Sequence, residues 1–262
     1  MPWVTRGLRE GVVTTRYPRR PDGYGEGFAA AVTVTDQPPP ETLDGLAGIC
    51  PTGAIGVERR VTVDRGRCIL CGRCVASRPE VFAYEASIET GRLARRLLVT
   101  PPDEGDGQLE AKVAAELAAR VRSFGRSLHV RHVDAGSDGS AEWEIAALTG
   151  PIYDLHRLGI FFTASPRHAD LLLVTGAGTA GMIEPLVRTY EAMPHPKVVL
   201  AAGTDAVSGG LVHPTYATRG GIDGIVAVDV WVPGSPPSPF SILHGLLLAM
   251  GRLGAAGRGR RR

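Results

Sequence analysis

Apolar residues in the second half of the chain form short runs that alternate with segments of helical spacing. The run at 171–176 is almost continuously apolar, which is typical of a strand buried on both faces of a parallel sheet. Apolar residues at helical spacing follow at 182–190, and again at 242–250. Further strands are predicted at 127–133, 161–165, 197–203 and 225–234. This alternation predicts an α/β domain whose parallel sheet is covered on both faces.

The first half of the chain is less regular. The segment 11–20 (GVVTTRYPRR) is basic and has a composition that favours β-structure. Turn-forming residues cluster at 36–45 and 100–108, and an amphipathic helix follows the second cluster. We therefore expect an N-terminal domain over 1–100, a linker with an amphipathic helix over 101–126, and a second domain over 127–262.

Composition narrows the classes of function. The chain has 262 residues, 44% of them hydrophobic, and a net charge of +2, so it can form a proper core and nothing indicates nucleic acid as a partner. No stretch is long and apolar enough to span a membrane, and the N-terminus lacks the apolar core of a secretory signal. We expect a reducing cytoplasm, where a cysteine cluster indicates metal binding rather than disulfides.

The chain has four cysteines, and their spacing is typical of an iron–sulfur site. Cys68, Cys71 and Cys74 form a CxxCxxC run, and Cys50 is followed directly by Pro51. Bacterial [4Fe–4S] motifs combine such a run with a distant Cys-Pro. A four-cysteine zinc site and a catalytic dithiol are the alternatives, although zinc sites more often use two separated CxxC pairs. We predict one [4Fe–4S] cluster held by all four cysteines.

These cysteines resemble those of a two-cluster ferredoxin domain that has lost its second cluster. By the family's spacing, Pro40, Leu43, Leu46 and Arg78 stand where the second set of ligands would be. The resemblance implies a ferredoxin-like α+β domain. The segment 11–20 also resembles the region that leads into the polyferredoxin subunits of formate hydrogenlyase and complex I, where it lies against the membrane arm.

The second half resembles the small subunit shared by complex I (its 20 kDa subunit) and the membrane-bound group 4 [NiFe] hydrogenases. The segments that carry the resemblance are DAGS at 134–137, EWEI at 142–145, SPRHADLLLVTG at 165–176, MPHPKVV at 193–199, VSGG at 207–210 and VDVWVPGSPP at 228–237. The resemblance implies a flavodoxin-like α/β domain that carries a proximal [4Fe–4S] cluster beside the [NiFe] or quinone site of a large subunit.

This chain departs from that family at the four cluster positions. They are occupied by Asp138, Ala141, Asp205 and Ser235, none of which supplies the thiolate that iron–sulfur centres prefer. We therefore expect the proximal cluster to be absent and the remaining cluster to lie away from this site. The substituted residues are interpreted as ordinary polar loop residues, or as an oxygen-ligand site for a cation such as Mg²⁺ or for protons. Glu142 and Glu144 match acidic positions in the family.

A competing motif is the GxGxxG at 176–181, which follows a buried strand and opens a helix, as in dinucleotide-binding turns. No acidic residue follows at the usual distance of about 20 residues at the end of a second strand. A nucleotide-binding reductase is therefore kept only as an alternative.

The leading hypothesis is an iron–sulfur electron-transfer subunit of a complex I-like or group 4 hydrogenase-like oxidoreductase, without catalytic residues of its own. The resemblance implies a large subunit and membrane-arm subunits as partners, and a peripheral position on the inner face of the cell membrane. A non-redox structural or regulatory subunit of such a complex is the second hypothesis.

Overall fold

The computed structural model describes residues 2–20, 23–39, 43 and 45–253. The first half contains α1 (Pro2–Glu10), β1 (Ala29–Val34), β2 (Ile55–Gly56), β3 (Thr62–Asp64), α2 (Arg73–Ser77), β4 (Phe82–Ala86) and β5 (Val99–Thr100). The second half contains α3 (Asp106–Arg120), β6 (Leu128–Asp134), α4 (Ser140–Ala147), β7 (Ile160–Phe162), β8 (Leu171–Thr175), α5 (Ala180–Ala192), β9 (Val198–Ala202), α6 (Thr204–Ser208), β10 (Val230–Val232) and α7 (Pro239–Ala249).

A five-stranded sheet organises the second half, and its neighbouring strands are all parallel. Its order is β10-β9-β8-β6-β7. The chain enters the sheet at β6, forms the edge strand β7 next to it, and then adds β8, β9 and β10 on the other side of β6. Numbered within the sheet, this is the doubly wound order 2-1-3-4-5. The chain changes direction between β6 and β8, and ligand sites in such sheets lie at the carboxyl ends of the strands at this point.

Two apolar layers cover the sheet, one on each face. Leu171 and Leu173 of β8 pack into one layer, whereas Leu172 and Val174 pack into the other. The alternation follows from the two-residue period of a strand. Every residue of α7 is buried on the first face, which explains why this helix is apolar all round rather than amphipathic.

The first half is built around smaller antiparallel sheets. β1 pairs with β4, and β3 lies between β2 and β5. A separate apolar cluster that includes Val32, Leu46, Val63 and Phe82 holds these strands together. The whole chain is thus a mixed α/β protein, and the five-stranded parallel sheet agrees with the prediction for the second half.

Several predicted elements differ from the observed ones. Segment 11–20 contains no strand; instead it crosses to the second half, where the Thr15 amide donates to the Ile152 carbonyl at 2.7 Å and Tyr17 is buried. The long strand predicted at 225–234 is only Val230–Val232, because 223–229 form turns and loop. Val226 is buried outside the strand, and Ile225 and Val228 pack against the core there, so apolar residues extend beyond the strand itself.

The two halves are also joined at the far edge of the sheet. Arg92 and Trp231 exchange two backbone hydrogen bonds of 2.8 Å, which adds an antiparallel bridge to β10. Nearby, the Gly91 amide donates to Nδ1 of the buried His244 at 3.2 Å. Because backbone groups of both halves satisfy one another here, the first half is held against the sheet edge.

Candidate functional site

The segment between β3 and α2 (residues 65–72), here called the cysteine loop, carries Cys68 and Cys71. Two of its residues have left-handed backbone conformation. Leu70 has φ of 57° and Gly72 has φ of 74°. Left-handed backbone is uncommon for leucine and costs roughly 1–2 kcal/mol, so its presence indicates a conformation imposed by the surroundings. Gly72 suits its left-handed φ, and a Cβ atom there would lie 2.3 Å from the Tyr84 hydroxyl, so the Tyr84 ring would have to move. The two left-handed residues flank Cys71, and Cys74 follows in the first turn of α2.

Backbone amides point at the sulfur atoms. The Ala54 amide donates to Cys50 Sγ at 3.2 Å, and the Thr52 hydroxyl lies 3.4 Å from the same sulfur. The Leu70 amide donates to the sulfur of Cys68, and the Val75 amide to that of Cys74. Amide donors of this kind stabilise the negative charge of a ligating thiolate.

Burial shapes the electrostatics of the thiols. The pKa of Cys68 is raised to about 11, mainly by burial and also by the charges of Cys74, Cys50 and Cys71, while the Leu70 amide acts to lower it. The pKa of Cys74 is raised for the same first reason. The sulfur of Cys68 is therefore within electrostatic range of the other three, and that of Cys74 is within range of Cys71 and Cys50. The free thiols of Cys68 and Cys74 are therefore protonated at neutral pH, so metal binding must release their protons.

The loop suits a thiolate-ligated cluster in its donor chemistry, its left-handed turns and its amide donors. Within the described ranges, no three His, Cys, Asp or Glu side chains are gathered closely enough to hold a single metal ion. The thiols thus face a common region without being drawn around one centre. One side of that region is apolar, since Cys50, Cys68 and Cys74 pack against the cluster of Val32, Leu46 and Phe82.

The positions that correspond to a second ferredoxin cluster have apolar or structural roles. Leu46 is 1% exposed in the core of the first half, and Leu43 packs against the same core. The Arg78 amide closes α2 by donating to the Cys74 carbonyl at 2.8 Å. Pro40 lies outside the described residues. Leucine side chains thus belong to the apolar core at two of these positions.

The four substituted positions of the second half line one small cavity at the carboxyl ends of the parallel strands. Asp138, Ala141, Asp205 and Ser235 all contribute to its lining, together with Thr204. The cavity lies where the loops after β6, β9 and β10 meet, beside the point at which the strand order reverses. Its volume of about 10 Å³ is on the scale of one water molecule. The sequence alignment thus picks out residues that are neighbours in space.

The carboxylates at this cavity differ in their electrostatics. Hydrogen bonds from the Ser140 hydroxyl and amide, 2.6 and 2.9 Å long, lower the pKa of Asp138. Burial raises the pKa of Asp205, and the charges of Asp138 and Glu142 raise it further. The cavity is therefore acidic, with one carboxylate held ionised and a neighbour biased towards the protonated form.

A buried polar chain lies behind the cavity and was not predicted from the sequence. The Thr175 hydroxyl donates to Glu142 Oε1, and His132 Nε2 lies 3.0 Å from the Thr175 oxygen. Burial lowers the pKa of His132, so its neutral form is favoured. Burial also raises the pKa of Glu144, the second acidic residue noted in this helix. The three groups lie on β6, β8 and α4, so no local sequence pattern could have connected them.

The cysteine loop lies directly against this cavity. The Thr204 hydroxyl, at the start of α6, donates to the Cys68 carbonyl at 3.1 Å. The Ser208 hydroxyl, at the end of α6, donates to the Gly66 carbonyl at 2.8 Å. The expectation that the cysteine site lies away from the substituted cluster positions is therefore wrong. Residues more than a hundred positions apart in sequence meet here, which spacing alone cannot predict.

The GxGxxG motif has a structural explanation. Gly176 and Gly178 have φ of 84° and 69°, and a Cβ atom would lie 2.5 Å from the Gly136 carbonyl carbon and 2.4 Å from the Gly221 carbonyl oxygen, respectively. The first amide of α5, that of Ala180, already donates to the Ala217 carbonyl at 2.7 Å. The two glycines are thus needed for close approach of the chain's own backbone, and the first amide of α5 already has a partner.

Two family profiles match the chain. Residues 139–249 match the family described as NADH ubiquinone oxidoreductase, 20 Kd subunit. Residues 61–121 match a 4Fe-4S single cluster domain, a range that holds Cys68, Cys71 and Cys74 but begins after Cys50. The first match agrees with the resemblance of the second half to the 20 kDa subunit, and the second agrees with the resemblance of the cysteine motif to iron–sulfur domains.

Individual relatives match mainly the second half. Formate hydrogenlyase subunit 7 of Escherichia coli is 41% identical over 55% of this chain and 57% of its own length. The probable membrane-bound hydrogenase subunit mbhJ of Pyrococcus furiosus is 41% identical over 54% of this chain and 85% of its own length. The B subunit of the NADH-quinone oxidoreductase of Geotalea daltonii is 43% identical over 42% of this chain and 65% of its own length.

One chain of a solved structure is also similar. It belongs to the membrane-bound sulfane sulfur reductase, an archaeal respiratory membrane complex, and is 33% identical to this chain. The match covers 50% of this chain and 73% of that chain, with a TM-score of 0.44.

The identity to mbhJ over most of that subunit's length, together with the profile match, settles the family. This chain belongs to the family of the 20 kDa subunit of NADH:ubiquinone oxidoreductase, which its membrane-bound hydrogenase relatives share.

Proposed function

We propose that this protein is an iron–sulfur electron-transfer subunit of a complex I-like or group 4 hydrogenase-like oxidoreductase, with one [4Fe–4S] cluster held by Cys50, Cys68, Cys71 and Cys74. The observation that carries the proposal is the cysteine loop, in which left-handed residues flank Cys71 and the Leu70 amide favours the Cys68 thiolate, together with the Ala54 amide that donates to Cys50 Sγ at 3.2 Å. The first half would be a ferredoxin-like domain and the second a flavodoxin-like one.

A cluster in this loop supplies one-electron transfer without making or breaking bonds in a substrate. The chain's own residues have three tasks in this scheme. The four thiols bind, the amides of Ala54, Leu70 and Val75 stabilise the thiolates, and the apolar core beneath them excludes water.

We propose further that the proximal cluster of the family is missing from this chain. The cavity that carries the four family positions offers two carboxylates, a hydroxyl and a methyl group, a poor set of ligands for iron–sulfur chemistry. The one cluster therefore serves in place of the proximal one. This arrangement also leaves a second candidate function, in which the subunit is structural or regulatory and its cluster stabilises the fold.

Partners are proposed from the relatives, whose names place them in hydrogenases and NADH–quinone oxidoreductases. A large subunit resembling that of hydrogenases or the 49 kDa subunit of complex I would face the acidic cavity. Membrane-arm subunits of the same complex would hold the protein at the inner, cytoplasmic face of the membrane. Among the described residues, no helix is long and apolar enough to cross a bilayer.

Helix α1 supports a position at a membrane surface. Trp3 and Leu8 are 74% and 80% exposed, and no residue of this amphipathic helix is buried. Arg9 lies in its last turn, and Arg19 and Arg20 follow after the segment that is anchored to the second half. An apolar face with tryptophan beside arginines is typical of helices that lie in the headgroup region of anionic membranes.

The test of the redox proposal is electron paramagnetic resonance of the anaerobically reconstituted full chain. Reduction should give one signal of a [4Fe–4S]⁺ cluster, and Cys50→Ala or Cys71→Ala should abolish or transform it. The matched control is Ser77→Ala, close to the same loop in sequence but not a proposed ligand. A wild-type chain that binds zinc and gives no signal on reduction would refute the proposal. A chain that holds about four iron but gives no signal on reduction, and that unfolds more easily when the iron is removed, would favour the structural alternative.

A further inference from the structure

Helix α6 serves as the platform on which the cysteine loop rests. This helix follows β9 and lines the acidic cavity with Thr204 and Asp205, and the Thr204 hydroxyl also contacts the cysteine loop. Thr204 is fully buried at 0% exposure, and Cys68 is the thiol whose pKa burial raises to about 11. The cluster site and the family's cluster positions thus share one short helix as a common wall.

The Thr204 hydroxyl both donates and accepts a hydrogen bond. It donates to the Cys68 carbonyl at 3.1 Å and accepts from the Gly234 amide at 3.2 Å. The Thr204 amide donates to the Gly234 carbonyl at 2.7 Å, which holds the residue against the loop after β10. Because the hydroxyl hydrogen is directed by these partners, it points at the backbone of a proposed ligand residue.

The cysteine loop and α6 are in close contact at Gly66. The Ser208 hydroxyl donates to the Gly66 carbonyl at 2.8 Å, and a Cβ atom at Gly66 would lie 2.7 Å from Val207 and from Arg95. Arg95 in turn makes two hydrogen bonds of 2.7 and 2.8 Å to Asp64, at the start of the loop. Gly66, two residues before Cys68, therefore packs closely against α6 and against Arg95.

We propose that Thr204 is a positioning residue for the cluster, which orients the Cys68 segment and raises the cluster's reduction potential through its hydroxyl dipole. This inference rests on the proposed function, since it requires a cluster in the cysteine loop. Hydrogen bonds and oriented dipoles around the ligands set the potential of such clusters, and a positive hydrogen end directed at the ligand backbone favours the reduced, more negative state. Loss of the hydroxyl also leaves the Cys68 carbonyl and the Gly234 amide without their partner.

The test is a potentiometric titration of the reconstituted full chain, followed by electron paramagnetic resonance, with iron content measured on each sample. Thr204→Val keeps the shape but removes the hydroxyl. It should lower the ratio of reduced to oxidised cluster at a fixed potential by roughly three- to tenfold, which corresponds to a shift of about 30–60 mV for one electron. Thr204→Ser should restore the wild-type potential. Ser208→Ala removes a similar bond to Gly66 without touching a ligand residue, and should leave the potential unchanged.

Each outcome either supports or overturns the proposed role of Thr204. If Thr204→Val fails to hold iron while Thr204→Ser and Ser208→Ala hold it, the hydroxyl is required for positioning and the proposal stands. A Thr204→Val chain with the wild-type potential, or Ser208→Ala with the same shift or loss of iron, would overturn it. Wild-type protein without a cluster would instead refute the proposed function, so the two failures are distinguishable.

Discussion

At the scale of single residues, the cysteine site depends on backbone conformations as much as on thiols. Leu70 and Gly72 are both left-handed, and one directly precedes and the other directly follows Cys71. The cysteine spacing was readable in the sequence because each ligand type is explicit. The positive φ of Leu70 could not be predicted, because leucine in a sequence gives no sign of left-handed backbone.

Gly72→Ala tests the role of this turn. The substitution forces a side chain into left-handed backbone and displaces Tyr84, so we expect a loss of about 1–2 kcal/mol in the free energy of unfolding together with reduced iron content. The matched control is Gly105→Ala, which has φ of 88° but no atom within 4 Å of the added Cβ. Denaturant unfolding and iron analysis of both variants are compared. Equal loss of iron in the two would show that the turn has no special part in the site.

The buried His244 predicts a dependence of stability on pH. Burial, assisted by the charge of Arg92, lowers its pKa to about 3, whereas the unfolded chain has an ordinary histidine with a pKa near 6.5. Between these values the unfolded state binds the extra proton, so the free energy of unfolding falls as pH falls, by up to about 1.4 kcal/mol per pH unit from this group.

His244→Asn should remove this dependence, because asparagine can still accept the Gly91 amide but does not titrate. Urea unfolding of both proteins between pH 7.5 and 5 measures the difference. The wild type should lose stability faster than the variant below pH 6.5. Parallel curves would mean that His244 titrates normally in the folded protein.

At the scale of elements, local patterns located most of the second half and failed where contacts are long-range. The strand of 171–176 and the helix of 242–250 were predicted because burial on both sides demands continuous apolar sequence. Segment 11–20 has the composition of a strand, yet its Thr15 and Tyr17 are held by the second half, across a contact that composition does not encode.

The amphipathic helix α3 gives an element-scale prediction. Leu117 is 6% exposed and packs in the same core as Leu128 and Leu246, so the helix contributes to the sheet layer. Leu117→Ala should lower the free energy of unfolding by about 2–4 kcal/mol, while Leu109→Ala, at a half-buried position of the same helix, should cost clearly less. Denaturant midpoints of the two variants are compared. Equal, small effects would mean that the helix is only a linker.

At the scale of the whole molecule, the two halves share one proposed redox site. The proposed boundaries at 100 and 126 follow turn-rich sequence, and they remain a prediction. Across them, Thr204 meets Cys68, Ser208 meets Gly66 and Trp231 meets Arg92. The cluster proposed for the first half would therefore lie beside the helix that also lines the cavity with the substituted family positions.

The most direct measurement is the iron and acid-labile sulfide content of the full chain after anaerobic reconstitution and desalting. One [4Fe–4S] cluster in the cysteine loop predicts about four iron and four sulfide per chain. These values should fall towards zero in Cys68→Ala and stay unchanged in Asp205→Ala. About eight of each, or a loss of half the iron in Asp205→Ala, would contradict the account by placing a second cluster at the cavity.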